Sequence, residues 1–238
     1  MSALHAAEAK PFHWRGTIAA GKSLEVRGVN GNITVDASSG SSAEVDGVIT
    51  ARRSDPSQVH VEVEQRSGNV LLCVIYPSSP GGCDARQSTK ENDTQVNFTV
   101  KLPKDVRLVA RTVNGNVNTT KLQSPVDAKS VNGSIEITTT QTATAETVNG
   151  TIRASMGRLQ PDAKFTSVNG NVELGLPANA GANLNASTVN GSIEPDFAVT
   201  LTGKISKRQL NGRLGEGGSE LVIKTVNGSI RIRKNTFI

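Results

Sequence analysis

The feature that most constrains the fold of this 238-residue chain is a short motif, Val-Asn-Gly-x-Ile/Val, that recurs along it. The motif asparagines are Asn30, Asn114, Asn132, Asn149, Asn169, Asn190 and Asn227, and Leu210-Asn211-Gly212 is a conservative variant. From Asn114 onward, neighbouring motif asparagines are 16 to 21 residues apart. Self-similarity at a nearly fixed period predicts a repeat architecture whose stacked units bury one continuous core.

The residues on both sides of each copy alternate between polar side chains and small or apolar ones. Leu184 and Ala186 show this before a motif, and Ile135 and Ile137 show it after one. A period of two residues is typical of a half-buried strand, and Thr, Val and Ile suit strands. No segment shows a convincing helical period, so we predict an all-β chain with a tight corner at each motif.

The Asn-Gly step is a turn sequence, because both residues tolerate positive φ at low cost. In one arrangement it closes a two-residue hairpin, and stacked β-hairpins form a sandwich or roll. In the other it is the corner of a solenoid rung, and the copies stack about 4.8 Å apart in parallel sheets. Only stacking explains why the same valine and isoleucine recur, so we predict a parallel β-solenoid of about seven or eight rungs. All eight asparagines, Asn211 included, are expected to form a hydrogen-bonded corner ladder.

We divide the chain into a loose end and one solenoid domain. Residues 1–15 are interpreted as disordered or as a signal-peptide remnant, because Ala7-Glu8-Ala9 has the small-x-small form of a cleavage site. Residues 16–238 form the domain, in which 20–110 carry irregular rungs and 111–234 carry the regular repeats. The longer strands of the irregular part are predicted at 43–52, 58–66, 69–76 and 95–102, with a surface loop at 77–94.

Two cysteines, Cys73 and Cys83, enclose a stretch rich in turn-forming residues. We predict that they form a disulfide, which in the chain-entropy model contributes about 2–3 kcal/mol. A disulfide implies an oxidising compartment, and the alternative is a pair of buried free thiols. Together with the possible cleavage site, the pair predicts a periplasmic or extracellular location.

Composition excludes several classes of function. Two cysteines cannot build a four-cysteine zinc site, and only three histidines, His5, His13 and His60, are available for metal or acid–base chemistry. Aromatic residues make up 3% of the chain, which argues against a stacking surface for nucleic acids. The chain has no apolar run near 18 residues that would span a membrane. We therefore expect no catalytic residues, metal, cofactor or nucleic-acid partner.

One column of residues stands out, four positions after each motif asparagine. It consists of Asn118, Glu136, Arg153, Glu173, Glu194, Gly215 and Arg231. We interpret it as a solvated face with weak ion pairs of about 0–1 kcal/mol each. The competing hypothesis places Glu173 and Glu194 on adjacent rungs, near the spacing of about 5–5.5 Å found in retaining glycosidases, with Asp196 and Phe197 nearby.

A set of basic residues near the end of the chain is a possible anion-binding patch. Its members are Lys204, Lys207, Arg208, Arg213, Lys224, Arg231, Arg233 and Lys234. The simpler interpretation is that these charges favour solubility and keep an open sheet edge from pairing.

The chain resembles a bacterial β-strand-repeat family of unknown function, whose members have been described as adhesins. The resemblance lies in the recurrent Thr-Val-Asn-Gly-x-Ile unit and in the Leu102-Pro103 step ahead of the main array. The resemblance covers roughly residues 20–234 and implies a right-handed β-helix-like fold, often in exported or envelope-associated proteins. It brings no catalytic residues with it.

These observations favour an exported, non-enzymatic β-strand-repeat protein, a structural or adhesin-like module that binds a protein or polysaccharide surface at the cell envelope. The alternatives are a carbohydrate-active enzyme on a β-helix and a cytoplasmic regulatory scaffold. Fold alone does not choose between them. The sequence gives no oligomeric state.

Overall fold

The computed structural model describes residues 10–78, 81–84, 89–201 and 206–235. Within these ranges the chain forms strands and two short 3₁₀ turns, Pro56–Gln58 and Gly82–Asp84, and no α-helix. The strands are β1 (Lys10–Thr17), β2 (Ser23–Arg27), β3 (Ile33–Ala37), β4 (Ser42–Thr50), β5 (His60–Arg66), β6 (Asn69–Ile75), β7 (Gln95–Leu102), β8 (Arg107–Arg111), β9 (Val117–Leu122), β10 (Val126–Lys129), β11 (Ile135–Thr139), β12 (Ala143–Asn149), β13 (Ile152–Met156), β14 (Ala163–Asn169), β15 (Val172–Pro177), β16 (Ala182–Asn190), β17 (Ile193–Pro195), β18 (Val199–Leu201), β19 (Gln209–Leu214), β20 (Glu220–Asn227) and β21 (Ile230–Asn235).

The strands form two sheets, and each corner connects one sheet to the other. Sheet A has the order β1-β4-β7-β3-β9-β11-β13-β15-β21-β17. Sheet B has the order β18-β19-β16-β20-β14-β12-β10-β8-β2-β6-β5. For example, β12 ends at Asn149 in sheet B and β13 begins at Ile152 in sheet A. The corner strands therefore do not pair as hairpins, and the predicted all-β solenoid is confirmed.

Each rung of the solenoid consists of one strand of sheet B and the following strand of sheet A, paired in parallel with the rungs on either side. In stack order the described rungs are rung 1 (β6 and β7), rung 2 (β2 and β3), rung 3 (β8 and β9), rung 4 (β10 and β11), rung 5 (β12 and β13), rung 6 (β14 and β15), rung 7 (β20 and β21) and rung 8 (β16 and β17). Seven spacings of about 4.8 Å make the stack about 34 Å long.

The stack order differs from the chain order at both ends. The first repeat, β2 and β3, lies between rungs 1 and 3, and the last repeat, β20 and β21, lies between rungs 6 and 8. Asn227 is therefore in register with Asn169 on one side and with Asn190 on the other. This insertion decides which outward side chains become neighbours near the C-terminal end.

Antiparallel strands cover the ends of the parallel stack. At one end β4 and then β1 extend sheet A, while β5 extends sheet B; at the other end β19 and β18 extend sheet B. β1 begins at Lys10, so the predicted loose end at 1–15 is wrong for residues 10–15. The reason is that Phe12 and Trp14 pack against the core, which anchors the strand. Residues 1–9 lie outside the described residues.

The core lies between the sheets and is built from stacked columns of like side chains. The isoleucine or valine at the last position of each motif occupies one column, in register across sheet A: Ile33, Val117, Ile135, Ile152, Val172, Ile230 and Ile193. All but Ile193 are buried. Burial of each such side chain contributes about 1.5–3 kcal/mol, which explains why the motif retains this residue.

The conservative variant Asn211-Gly212 and two partial matches to the motif, Val45-Asp46-Gly47 and Ser67-Gly68, do not form corners. Asp46-Gly47 lies within β4, and Ser67-Gly68 is the two-residue turn of the β5–β6 hairpin, with φ of 52° and 80°. Asn211 lies inside β19, where it faces Asn185 across an antiparallel pair. The prediction that Asn211 belongs to the corner ladder is wrong, because β19 runs back along β16 and keeps Asn211 in mid-strand.

Candidate functional site

The motif asparagines of rungs 2 to 8 lie over one another, and their side-chain amides form a chain of hydrogen bonds. From rung 3 onward each Nδ2 donates to the Oδ1 of the asparagine on the preceding rung, at 2.7–2.8 Å. The stack order is Asn30, Asn114, Asn132, Asn149, Asn169, Asn227 and Asn190. All the bonds point the same way, so within the described chain the ladder ends at Asn190, whose Oδ1 accepts no hydrogen bond.

The corner glycines are required because the backbones of neighbouring rungs touch there. A Cβ atom on Gly115 would overlap the carbonyl oxygen of Gly31, and one on Gly133 would overlap that of Gly115. Within the described ranges, no motif asparagine has a positive φ. The corner asparagines therefore do not use the positive φ that this residue type tolerates. Close approach of two backbones makes glycine necessary.

A second ladder lies inside the corner, and the sequence reasoning did not single it out. The residue two positions before the motif asparagine is a buried Thr or Ser, whose hydroxyl donates to the carbonyl of a corner glycine on the neighbouring rung at 2.8–3.0 Å. The donors are Thr112, Ser130, Thr147, Ser167, Thr188 and Thr225. The signal was present in the sequence, as the Thr or Ser before the motif valine. These hydroxyls satisfy carbonyls that the corner removes from water.

The motif valines form an exposed apolar row beside the asparagine ladder. Val113, Val131, Val148, Val168 and Val226 are 36–39% exposed, whereas Val189 at the end of the stack is 55% exposed. The difference arises because Val189 has a valine neighbour on one side only. Most of each inner valine is thus covered by the valines above and below it, a cross-strand packing that stabilises the sheet.

A row of charged side chains runs along the outer face of sheet A. Its order is Glu136, Arg153, Glu173, Arg231 and Glu194. Arg153 contacts Glu173 at 3.2 Å, and Arg231 contacts Glu173 at 3.6 Å and Glu194 at 3.2 Å. Hydrogen bonds from Ser192 and then Arg231 lower the pKa of the Glu194 carboxyl. We call these five residues the charged row.

The structure contradicts the hypothesis of a glycosidase-like carboxylate pair. Glu173 and Glu194 are not on adjacent rungs, because β21 lies between β15 and β17 and places Arg231 between the two carboxylates. Gly215 lies outside the row, in the turn after β19 with a φ of 52°. Asp196 follows β17, where its backbone N–H donates to the carbonyl of Ile232.

The predicted basic patch does not form one surface. Lys224 and Arg213 belong to strands of sheet B, whereas Arg231, Arg233 and Lys234 belong to β21 of sheet A. Arg231 is paired with two carboxylates, and the Lys234 ammonium lies 5.6 Å from the centre of the Phe197 ring. Lys207 and Arg208 are exposed in the turn ahead of β19, and Lys204 lies outside the described residues. The prediction of a single anion-binding patch is wrong.

The outer face of sheet B carries its own ion pairs. Arg111 binds Asp127 through two hydrogen bonds of 2.9 and 2.8 Å, and Glu146 accepts from Lys129 and Lys164. Burial by itself would raise the pKa of Asp127, but the hydrogen bonds and charge of Arg111 outweigh it and lower that pKa. These ion pairs connect neighbouring rungs across sheet B.

Cys73 of β6 and Cys83 of the second 3₁₀ turn form a disulfide, with a Cα–Cα distance of 5.6 Å. Both cysteines are buried, and the Arg27 guanidinium donates to the carbonyl of Cys83 at 3.1 Å. The Glu62 carboxylate lies beside the sulfurs. A disulfide sulfur is not a thiolate, so this group does not provide metal-ligand chemistry while the bond is intact.

The described surface has several open hollows, one of which, about 510 Å³, lies at the loop between β3 and β4; three others lie near the residues discussed above. The largest, about 740 Å³, lies between residues 50–54 and 89–95, where Asp93 accepts hydrogen bonds from the backbone of Arg53 and Ser54. A trough of about 280 Å³ follows the charged row on sheet A, where Thr138, Ser155 and Gly175 carry small side chains or none. A hollow of about 300 Å³ lies on sheet B around Asn185. All three are open to solvent, a geometry suited to contact with a surface.

Comparison with known proteins identifies the family. The family model described as Toastrack DUF4097 matches residues 22–233, which is most of the chain. The chain belongs to the Toastrack DUF4097 family. No curated protein matches it. The described part of this Toastrack chain contains no helix that is long and apolar enough to cross a membrane.

Two solved structures are similar to this Toastrack chain to different degrees. A protein from Clostridium sporogenes ATCC 15579, named as a candidate cell adhesion protein, has a TM-score of 0.52 and 10% identity, covering 96% of this chain and 100% of that one. A protein from Bacteroides fragilis NCTC 9343, named as a candidate adhesin, has a TM-score of 0.33 and 11% identity, covering 95% and 97%. The first of these likenesses shows a shared fold.

The asparagine ladder of this Toastrack chain predicts that a substitution in its middle lowers stability more than a substitution at its end. Asn149→Ala removes one donated and one accepted hydrogen bond, whereas Asn190→Ala removes only a donated one. We expect Asn149→Ala to lower the free energy of unfolding by about 1–2 kcal/mol and Asn190→Ala by about half as much. Urea denaturation of both variants measures this. Equal losses at the two positions would contradict a ladder that acts through both bonds of each amide.

Proposed function

We propose that this Toastrack chain is an exported, non-catalytic module that binds a protein or polysaccharide surface at the bacterial cell envelope. The observation that carries the proposal is the charged row on sheet A, whose alternating carboxylates and guanidinium groups are fixed at the spacing of the rungs. A rigid frame that presents side chains at fixed intervals loses little conformational entropy on binding, which favours recognition of an extended surface.

The disulfide supports export. Cys73 and Cys83 are both buried and joined, and such structural disulfides persist in oxidising compartments such as the periplasm or the exterior. The name given to the Clostridium sporogenes protein of the same fold points to cell adhesion, an activity at the cell exterior. These two observations are independent of each other, and both favour a periplasmic or extracellular location.

The charge arrangement supports a binding role over glycoside hydrolysis. A retaining glycosidase needs two carboxyl groups about 5–5.5 Å apart, one of which has a raised pKa so that it can act as the acid. Here Arg231 separates Glu173 from Glu194, and hydrogen bonds lower the pKa of Glu194. Both features argue against an acid–base pair, and each carboxylate instead contacts a guanidinium group.

The trough beside the charged row is the contact site that we favour. Gly175 has no side chain between Ser155 of β13 and Arg233 of β21, so the outer face of sheet A is recessed there. The trough is lined by small residues on its floor and by Glu136, Arg153, Glu173 and Arg233 at its sides. An extended polar chain lying in this trough would meet both signs of charge, which favours specific over non-specific attachment.

Binding measurements with the full chain test this function. The fluorescently labelled protein is applied to arrays of bacterial surface polysaccharides and to immobilised extracellular-matrix proteins. We expect binding to at least one of these surfaces, weakened about tenfold or more by Ser155→Arg, which fills the trough. The matched control is Asn185→Arg, which places the same side chain in the hollow on sheet B and is expected to bind normally. Absence of binding to every surface, or equal losses in both variants, would contradict the proposal.

A further inference from the structure

The eight Asn-Gly steps of this chain carry a chemical liability as well as a structural role. In an Asn-Gly step the glycine nitrogen can attack the Cγ of the asparagine side chain, because glycine has no side chain to hinder the approach. Asparagine is for this kind of reason a thermolabile residue. The glycine nitrogen gives up its proton as the N–Cγ bond forms, the Cγ–Nδ2 bond breaks, Nδ2 leaves as ammonia with a proton in exchange, and a five-membered succinimide results. Water opens this ring at either carbonyl, which yields aspartate or isoaspartate.

The stacked corners restrain both reacting groups at six of the seven corner steps. Each corner glycine N–H donates to the backbone carbonyl of an asparagine on the next rung at 2.9–3.0 Å. The donors are Gly31, Gly115, Gly133, Gly150, Gly170 and Gly228. The asparagines that precede them each accept a hydrogen bond at Oδ1 from the next amide of the ladder. Attack at these six steps requires the local opening of two rungs.

The seventh corner, Asn190-Gly191 of rung 8, lies at the end of the parallel stack. The backbone carbonyl of Asn190 accepts a hydrogen bond from the Gly228 N–H on rung 7, but no further corner stacks on the other side of rung 8. Within the described chain the Gly191 N–H donates to no acceptor and the Asn190 Oδ1 accepts from no donor. Gly191 is also exposed, whereas the other corner glycines are buried or half-buried. At this step the glycine N–H is therefore unrestrained within the described chain, and the asparagine amide is held by one hydrogen bond, from its Nδ2 to Asn227, instead of two.

The eighth Asn-Gly step lies in a different environment. Asn211-Gly212 is inside β19, where Gly212 is paired with Leu184 on one side and with Leu201 on the other. Ring closure requires a backbone rotation that brings the glycine nitrogen onto Cγ, and pairing on both sides holds this segment extended. Asn211-Gly212 is therefore restrained as well.

We propose that Asn190-Gly191 is a site of spontaneous deamidation in the folded protein, and that the hydrogen bond on the glycine N–H is what protects the other corners. The product has a carboxylate where Asn190 had an amide. It no longer donates to the Oδ1 of Asn227, and a negatively charged oxygen faces that oxygen instead. In the isoaspartate form the backbone gains a methylene, which shifts the register of rung 8 against rung 7. The modification therefore loosens one end of the solenoid and leaves the other rungs intact.

Peptide mapping of the full chain tests the site. The folded protein is incubated at mildly alkaline pH, digested, and analysed by mass spectrometry with fragment ions that separate Asn169 from Asn190. We expect Asn190 to convert to aspartate and isoaspartate at least about tenfold faster than any other Asn-Gly step, because the end of a stack opens more readily than its middle. In urea, where the ladder is absent, all eight steps should react at comparable rates. Equal rates for Asn190 and the inner corners in the folded protein would overturn the proposal.

The variant Asn190→Ser distinguishes protection by the hydrogen bond on the glycine N–H from protection by the hydrogen bond on the asparagine Oδ1. Asn190→Ser removes the reactive amide and leaves the Oδ1 of Asn227 without its donor, while the carbonyl of residue 190 still accepts from the Gly228 N–H. We expect the rapid reaction to disappear and Asn227 to remain as slow as Asn149. Rapid reaction at Asn227 in this variant would overturn the assignment of protection to the glycine N–H. The urea-unfolded variant serves as the reference for the intrinsic rate.

Discussion

Replacement of Gly133 by alanine is expected to lower the free energy of unfolding by about 3 kcal/mol or more, among the largest effects of any single methyl group in this chain. The added Cβ would overlap the carbonyl oxygen of Gly115 on the neighbouring rung. That oxygen belongs to the backbone of a corner which is itself packed against Gly31, so it cannot move aside without separating the rungs. Urea denaturation followed by circular dichroism measures the loss.

Two further alanine variants control this prediction. Gly40→Ala lies in the loop between β3 and β4, where the nearest atom to the new Cβ is 3.9 Å away, and it should change stability by less than about 0.5 kcal/mol. Gly191→Ala meets the carbonyl of Gly228 in the same way as an inner corner, but rung 8 can shift outward, so an intermediate loss is expected. If Gly133→Ala were as stable as Gly40→Ala, close backbone contact at the corners would be refuted.

Removal of the disulfide is expected to lower the free energy of unfolding by about 2–3 kcal/mol. The double variant Cys73→Ala with Cys83→Ala frees the segment between β6 and the second 3₁₀ turn in the unfolded chain, and both side chains are buried in the folded one. Thermal or urea denaturation of the oxidised wild type and the double variant measures the difference.

Reduction provides the control for the disulfide. Dithiothreitol should shift the wild type toward the stability of the double variant and should leave the double variant unchanged. A reductant that destabilised both proteins equally would show that the loss does not come from the bond. A double variant as stable as the oxidised wild type would contradict the prediction directly.

The sequence predicted the strands well, because their signals are local. Strands were expected at 43–52, 58–66, 69–76 and 95–102, and the structure has Ser42–Thr50, His60–Arg66, Asn69–Ile75 and Gln95–Leu102. Alternation of apolar and polar residues defines each strand within its own few residues, and glycine, proline and serine mark its ends. Such signals do not depend on which rung lies next to which.

The candidate sites were predicted less well, because they depend on neighbours that are distant in the chain. Arg231 is separated from Glu173 by 58 positions, as Asn227 is from Asn169, yet the two side chains are in contact. Chain order suggested that Glu173 and Glu194 were neighbours, and the insertion of β21 between their strands removed that contact. The same insertion and the reversal at β19 dispersed the basic residues over two sheets.

The repeated Val-Asn-Gly unit, with its alternating flanks, was by itself sufficient to specify a chain of strands joined by tight corners and stacked with like residues in contact. The tertiary structure alone decided the order of that stack, since the first and last repeats each add between two rungs rather than beyond the end. Parallel pairing between near-identical repeats does not depend on their order in the chain, so periodicity alone could not show that β21 pairs with β15, 58 positions away.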